Sequence, residues 1–350
     1  MAPDPPHPPL RAEARHRPRP AEVLCVGEAM VLGAATDGAS LASTAEVRLH
    51  VAGAEANVAR GLAARGVPVE WWSRVGEDPF GDRIITDLTA HGVHCADVAR
   101  DSRRPTGVYF KERHGQSTEV HYYRAGSAAS AMSLDDLDGL HLHQRRLLHL
   151  TGIAPALSPS CDQLVEHMLR APRNNIVSFD VNHRPALWPD LPTAAARLEV
   201  LANLADIVFI GRDEAQRLWG CTDATDIRTV LSAPHVLIVK DADVEAVAFV
   251  ASSHGTDTVH RVPALTVEVV EPVGAGDAFA AGYLAGWLAG ESPRVSLRSG
   301  HVLAAHALLS TADVAPALRA REFDRLRHLD DEQWARLRLP LDAAFQKATT

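Results

Sequence analysis

Short apolar runs recur along this chain with helical segments between them, and few folds accommodate that rhythm. Runs at 147–151, 176–180, 206–210 and 236–240 are strand-like, another at 246–250 follows at once, and helical patterns at 160–171, 192–203 and 213–219 separate the first four. A first run, 23–27, opens the series, 71–76 reads as another strand, and helices are expected at 80–91, 277–290 and 294–310. Strands that are apolar throughout and alternate with helices predict a parallel sheet covered on both faces. The fold class is therefore α/β.

Length and charge narrow the partners. A chain of 350 residues makes one large α/β unit or two average domains, and 46% hydrophobic residues supply a large core. The net charge is −9 without a long block of like charge, so no nucleic-acid partner is expected. No apolar run reaches the roughly 18 residues of a membrane span, so no membrane partner is expected. Cys25, Cys95, Cys161 and Cys221 lie far apart with no C-x-x-C, which argues against a zinc ribbon or disulfide framework and fits a cytoplasmic protein. The 18 histidines are scattered without an H-E-x-x-H. Residues 1–20 carry seven prolines and no apolar h-region, and read as a disordered leader rather than a signal peptide.

The chemistry concentrates in 269–283. An apolar strand end passes through Gly274, Ala275 and Gly276 into Asp277 and an alanine-rich helix. Glycines at a helix start leave backbone N–H groups unshielded, and the positive end of the helix dipole points the same way, which makes an anion site. Asp277 would repel an anion there unless it takes a proton from an attacking hydroxyl. A phosphate cradle with a carboxylate base describes phosphoryl transfer to an alcohol. The alternative is an ordinary helix start with an acid in its first turn.

Other polar residues fall where the crevice of such a sheet should be, at the carboxyl ends of strands. Glu28 follows the first run, as a ligand to a hydroxyl or as a turn residue. Residues 52–66 read as a loop entering a helix, with Gly53 allowing close backbone approach and Asn57 offering a donor and an acceptor to a polyol. Two β-prone runs flank His114-Gly115-Gln116 and contain three of the four tyrosines, Tyr109, Tyr122 and Tyr123. That hairpin, with Arg124 at its end, suggests a lid formed by about 34–50 and 105–125. Past the run at 176–180, Asp180, Asn182 and Arg184 alternate, and Arg184 suits a bidentate grip on a carboxylate or phosphate.

Three phrases together resemble the PfkB (ribokinase-like) carbohydrate kinases: Gly274-Ala275-Gly276-Asp277 with its helix, Gly53-Ala54-Glu55-Ala56-Asn57-Val58-Ala59, and Val75-Gly76-Glu77-Asp78-Pro79-Phe80-Gly81. The resemblance implies a ribokinase-like three-layer α/β/α domain over 21–325, with a mostly parallel central sheet, a small β-sheet lid and a C-terminal extension at 326–350. Within the family, 105–112, 122–130 and 179–188 look most like the kinases of 2-dehydro-3-deoxygluconate (KDG). This implies a homo-oligomer that uses ATP with Mg2+ to phosphorylate the 6-hydroxyl of a sugar acid. Carried over by residue, Asp277 is the base and Gly274, Ala275 and Gly276 form the anion hole. Gly53, Asn57, Tyr109, Tyr122, Arg124, Arg184 and Asp313 line the sugar-acid site with Glu28. Asn182, Lys240, Ala242 and Glu245 lie on the nucleotide side, and Glu214 beside the magnesium. Two arginines left unpaired toward the substrate, Arg124 and Arg184, would select a carboxylate.

The chain departs from the family in three places. Glu271-Pro272-Val273 replaces the usual Asp-Thr before the glycines. Gly211-Arg212-Asp213-Glu214 keeps the Glu of an Asn-x-x-Glu motif and loses its Asn. Asp241-Ala242-Asp243-Val244-Glu245 follows Lys240 without the glycines of the nucleotide loop, and its three acids crowd the path of the phosphates. Weak ATP affinity, a shifted donor preference or a degenerate, non-catalytic sugar-acid-binding protein are the readings this opens. The nearest rival activity is another sugar kinase of the family, acting on fructose, ribose or 5-dehydro-2-deoxygluconate.

Overall fold

The structure, a computed structural model, describes residues 21–35, 40–114, 117–252, 255–270, 273–309 and 318–339. Its elements are, in order, β1 (Val23–Val26), β2 (Met30–Ala35), β3 (Val47–Ala52), α1 (Ala54–Ala63), β4 (Val69–Trp72), β5 (Arg74–Gly76), α2 (Pro79–Ala90) and β6 (Ala99–Asp101). The hairpin β7 (Val108–His114) and β8 (Ser117–Tyr123) follows, then β9 (Leu147–Thr151), α3 (Pro159–Arg170), β10 (Ile176–Asp180), α4 (Leu191–Ala202), β11 (Ile207–Gly211), α5 (Arg212–Trp219), α6 (Ala224–Val230) and β12 (Val236–Asp241). The rest comprises β13 (Glu245–Val250), β14 (Thr258–Pro263), β15 (Thr266–Val267), α7 (Ala275–Leu288), α8 (Pro293–Leu308), α9 (Ala320–Arg327), α10 (Asp331–Arg336) and β16 (Arg338–Leu339).

An eight-stranded sheet in the order β14-β13-β12-β11-β10-β9-β1-β4 forms the centre. From β12 to β4 neighbouring strands are parallel, and β13 and β14 join antiparallel at one edge. Alternate residues feed opposite faces. Val23, Cys25 and Trp71 enter the core under α1, α7 and α8, while Leu24, Val26 and Trp72 enter the core under α3, α4 and α5. Both faces being covered explains why these strands are apolar without alternation. The chain runs from β1 to β4 on one side and later places β9 on the other, so the crevice beyond β1 is a switch point of the sheet.

A four-stranded sheet, β3-β2-β7-β8, stands apart from the first. Its inner residues Met30, Leu32, Ala52 and Tyr109 form a small apolar cluster of their own. The expected single strand at 71–76 is two. Trp71 and Trp72 fill opposite faces of the central sheet, Ser73 is buried, and Arg74 leaves to pair with Asp101 (3.1 Å) and Asp136 (2.8 Å). β5 therefore pairs with β6 instead. The described part of 326–350 packs against the main unit, with Trp334 buried and its Nε1 donating to Pro263 O at 2.9 Å. No helix of the described residues is long and apolar enough to cross a membrane.

Helix α7 has no polar stripe because α1 and α8 enclose it, and its small residues let neighbouring backbones approach. A Cβ at Gly282 would lie 2.3 Å from Ser299 O. Helix propensity alone predicts that Gly282→Ala gains about 1 kcal/mol. Overpacking against backbone costs about 1–3 kcal/mol, so the variant should unfold at lower urea than the parent. A raised midpoint would refute this account of the α7–α8 contact.

Candidate active site

The carboxyl ends of β1, β9, β10, β11 and β12 open on one crevice, and the N-termini of α1 and α7 point into it. Gly274 caps α7 at φ 85°, ψ −10°, a left-handed conformation that a side chain would strain. The helix then begins at Ala275, so the amides of Ala275, Gly276 and Asp277 are first-turn groups without intrahelical partners. Lys240 Nζ, at the end of β12, lies 3.5 Å from the position of a Cβ on Gly276. A cation thus stands beside the amides. Asp180 at the end of β10 binds it at 2.8 Å. Burial alone would lower the Lys240 ammonium, and the carboxylates of Asp180, Glu214 and Asp277 together hold it above the ordinary lysine value.

Asp277 is half-buried, and Asn57 Nδ2 donates to its Oδ2 at 2.9 Å. Burial pushes its carboxyl up to about 6, the Asn57 hydrogen bond opposes the rise, Asp180 adds to it, and Arg184 and Lys240 restrain it. A carboxylate in that range is ionised at neutral pH yet basic enough to hold a hydroxyl proton in passing. Gly53 caps α1 where a Cβ would lie 2.4 Å from Glu28 O, so the tight passage there excludes any larger residue.

The second sheet contributes Tyr109, buried, and Tyr122, half-exposed, with ring centroids 5.4 Å apart. The Arg124 guanidinium stands 5.6 Å above the Tyr122 ring. Two sequence expectations change here. Glu28 is not presented to a substrate hydroxyl: it is buried, forms an ion pair with Arg124, and accepts from Ser127 Oγ at 2.6 Å. Arg124 is consequently not unpaired. Of the two arginines, Arg184 is the one without a carboxylate partner among the described residues. It is exposed at the crevice, donating to His183 O at 3.3 Å, and its charge reaches Asp277 and Glu214.

On the other side of Asp277 the expectations also shift. Glu214 accepts from His183 N and Gly211 N, both at 2.9 Å, so its two oxygens serve as a helix cap and a loop anchor. Asp180 is likewise bound to Lys240, and among the described residues no three His, Cys, Asp or Glu side chains cluster to hold a metal ion. The crowd of acids after Lys240 is largely neutralised: Asp241 pairs with Arg212 at 2.8 Å and Glu245 with Arg261. Ala242 occupies φ 39° where a glycine would fit better. Asn182, at φ 42°, is buried with Oδ1 lacking a hydrogen-bond partner, as suits a residue awaiting a ligand. Asp313 and Glu271-Pro272 lie outside the described residues.

Sequence reasoning passed over Glu55 and Ser127, which support the site from behind. A lone acid among small helix residues was the available signal for Glu55. A cavity of about 640 Å³ at the opposite end of the sheet, between the C-termini of α1 and α7, is a different feature. Of its three arginines, Arg146 pairs with Glu22, Arg327 pairs with Asp324, and Arg65 donates to Leu318 O at 2.6 Å.

Comparison with known proteins places the chain in a family. The pfkB family carbohydrate kinase model matches residues 20–319. The 2-dehydro-3-deoxygluconokinase of Thermoproteus tenax is 35% identical over 79% of this chain and 84% of its own length. That of Bacillus subtilis is 32% identical over 84% of this chain and 91% of its own. The crystal structure of a PfkB protein from Polaromonas sp. JS666 superposes with a TM-score of 0.75 at 32% identity, covering 84% of this chain and 98% of that one. The chain belongs to the pfkB family of carbohydrate kinases, phosphotransferases with an alcohol group as acceptor.

Proposed function

We propose that the chain is a KDG kinase, transferring a phosphoryl group from ATP to the 6-hydroxyl of 2-dehydro-3-deoxygluconate. The observation that carries this is Asp277 hydrogen-bonded to Asn57 at the mouth of α7, with Lys240 beside the same helix N-terminus. Asp277 accepts the hydroxyl proton as the oxygen attacks. The first-turn amides and Lys240 hold charge that develops on the transferring group. Arg184 grips the carboxylate of the sugar acid, Arg124 completes the pocket from the Tyr122 side, and Asn57 fixes the base. ATP with Mg2+ supplies the phosphoryl group and the neutralising charge when bound, with Asn182 and Lys240 facing the phosphates. Asp313 completes the sugar site in this reading.

The second sheet serves as a lid that excludes water from the transfer. It also offers a subunit contact. Tyr123 is 65% exposed and Val47 39%, on β8 and β3 at the two edges of that sheet. Exposed apolar residues on an edge strand favour a second copy. Tyr123→Ser should then sediment as a smaller species than the parent; an unchanged sedimentation coefficient would remove this edge from the contact.

A coupled ADP-release assay across KDG, 2-keto-3-deoxygalactonate, 5-dehydro-2-deoxygluconate, fructose and ribose tests the substrate. KDG is expected to give the highest kcat/KM, and a neutral sugar ahead of it would overturn the reading. Arg184→Gln should raise KM for sugar acids by about 10²-fold or more while leaving slow turnover of neutral sugars in place. An equal loss for both classes would mean that Arg184 does not recognise the carboxylate.

Asp277→Asn should fold and lose about 10²–10⁴-fold in kcat. In the parent, kcat/KM should fall as pH drops through about 6, where the base gains its proton. Wild-type-like turnover by the variant would remove Asp277 from the mechanism.

A further inference from the structure

Glu55 sits in the first turn of α1, two residues before Asn57, with none of its surface exposed. Its carboxyl lies flat against the end of β1: a Cβ on Gly27 would be 2.0 Å from its carboxyl carbon. Thr151 Oγ1, at the end of β9, donates to Oε1 at 2.6 Å and itself accepts from Ile153 N at 3.1 Å. Oε2 is buried without a hydrogen-bond partner. Among the described residues no lysine or arginine forms an ion pair with it. Arg124, whose charge it feels, is bound to Glu28.

A carboxylate sealed from water, with a hydroxyl and a backbone N–H as its donors and no bound cation, is costlier than the neutral acid. Burial is the largest influence on it, and the negative charge of Asp277 on α7 acts in the same direction. The Thr151 hydrogen bond, the backbone N–H of Glu55 itself and the charge of Arg124 oppose the rise without overcoming it.

We propose that Glu55 is a positioning residue of the phosphoryl transfer, which with Asp277 forms a pair of carboxyls carrying a single negative charge, located on Asp277. The inference rests on reading Asp277 as the base. With its proton, Glu55 holds the first turn of α1 against β1 and β9, and so holds Asn57 against Asp277, without adding charge. Without its proton, it brings a second negative charge to a pocket that must admit both a sugar acid and a polyphosphate. Burial, aided by the charge of Asp277, pushes Glu55 to about 7, whereas Asp277 stands at about 6. The Asn57 donor and the charges of Arg184 and Lys240 favour the ionised form of Asp277, whereas Glu55 has no cation bound to it.

The test compares the full-length parent with Glu55→Gln and Asp277→Asn. Glutamine keeps an acceptor for Thr151 and cannot ionise. The parent should lose kcat/KM for KDG, or for the acceptor that the substrate panel selects, on both sides of a maximum. Glu55→Gln should retain the acid limb near 6 and lack the alkaline fall that begins near 7. A purely structural role would lower the rate at every pH and leave the shape unchanged, and that result would overturn the proposal.

A second readout needs no turnover. Infrared spectra of protein labelled with ¹³C at the glutamate carboxyls should show a protonated acid that disappears near pH 7, is missing in Glu55→Gln, and titrates lower in Asp277→Asn. An unshifted midpoint in Asp277→Asn would sink the pair even if Glu55→Gln failed to fold. Full activity of Asp277→Asn would instead sink the reading of the base, and the infrared arm would still report on the two carboxyls. Linkage gives the same sign: a carboxyl raised from 4.5 to about 7 costs the folded state stability as pH rises through that window. Glu55→Gln should therefore match the parent's melting temperature below about 4.5 and exceed it above about 7.

Discussion

The hydrogen bond from Asn57 Nδ2 to Asp277 Oδ2 joins residues 220 positions apart and is the tie on which the site depends. Asn57 is fixed because α1 starts where Gly53 passes the backbone of Glu28, and Asp277 because Gly274 turns the chain into α7. The two helices then pack along their length, with a Cβ at Gly61 lying only 2.5 Å from Ala281 Cβ. An interhelical contact made of small residues transmits little freedom, since interiors are close-packed. Asp277 is held by a helix pair rather than by a loop, which gives the precision that its proposed role in proton transfer requires.

Around that tie, buried charges come in compensated sets. Glu28 answers Arg124, Asp180 answers Lys240, and the amides of Gly211 and His183 answer Glu214. A buried ion left alone would be ruinous, and a fully paired one adds little net stability. The reason to keep them is orientation. Arg124 is pinned above Tyr122, and Lys240 is pinned beside Gly276. Arg184 stands outside this pattern, exposed and without a carboxylate, and so is free to meet one from the ligand.

The strands and helices of the central layer were legible because each apolar run between helical patterns has one physical meaning in a doubly covered sheet. The glycine turn and Asn57 were legible for the same reason: backbone donors and small residues at helix starts leave a recognisable spelling. The pairing of side chains was not. Glu28 looked like a sugar ligand because a carboxylate past a strand end suits a hydroxyl, and nothing in its neighbours announces that Arg124, 96 positions on, would claim it. Nor does spacing announce that the two oxygens of Glu214 accept from the amides of His183 and Gly211. Glu55 drew no notice, because whether an acid in a helix faces water or a strand end depends on packing and not on spacing.

The departures at 211–214 and 240–245 form one change in space. Gly211 and Lys240 are paired in register between β11 and β12, which sets Arg212 beside Asp241. An acid after Lys240 would repel nucleotide phosphates, and Arg212 offsets it. Ala242 in a left-handed conformation still costs about 1–2 kcal/mol. That cost is borne at a turn whose flanking strands pair through Asp241 and Glu245, so the surrounding ladder can enforce it. A nucleotide loop that had simply decayed would gain nothing from a matched arginine one strand away. The pairing of Arg212 with Asp241, together with Lys240 held beside Gly276, favours a loop still in use for phosphates.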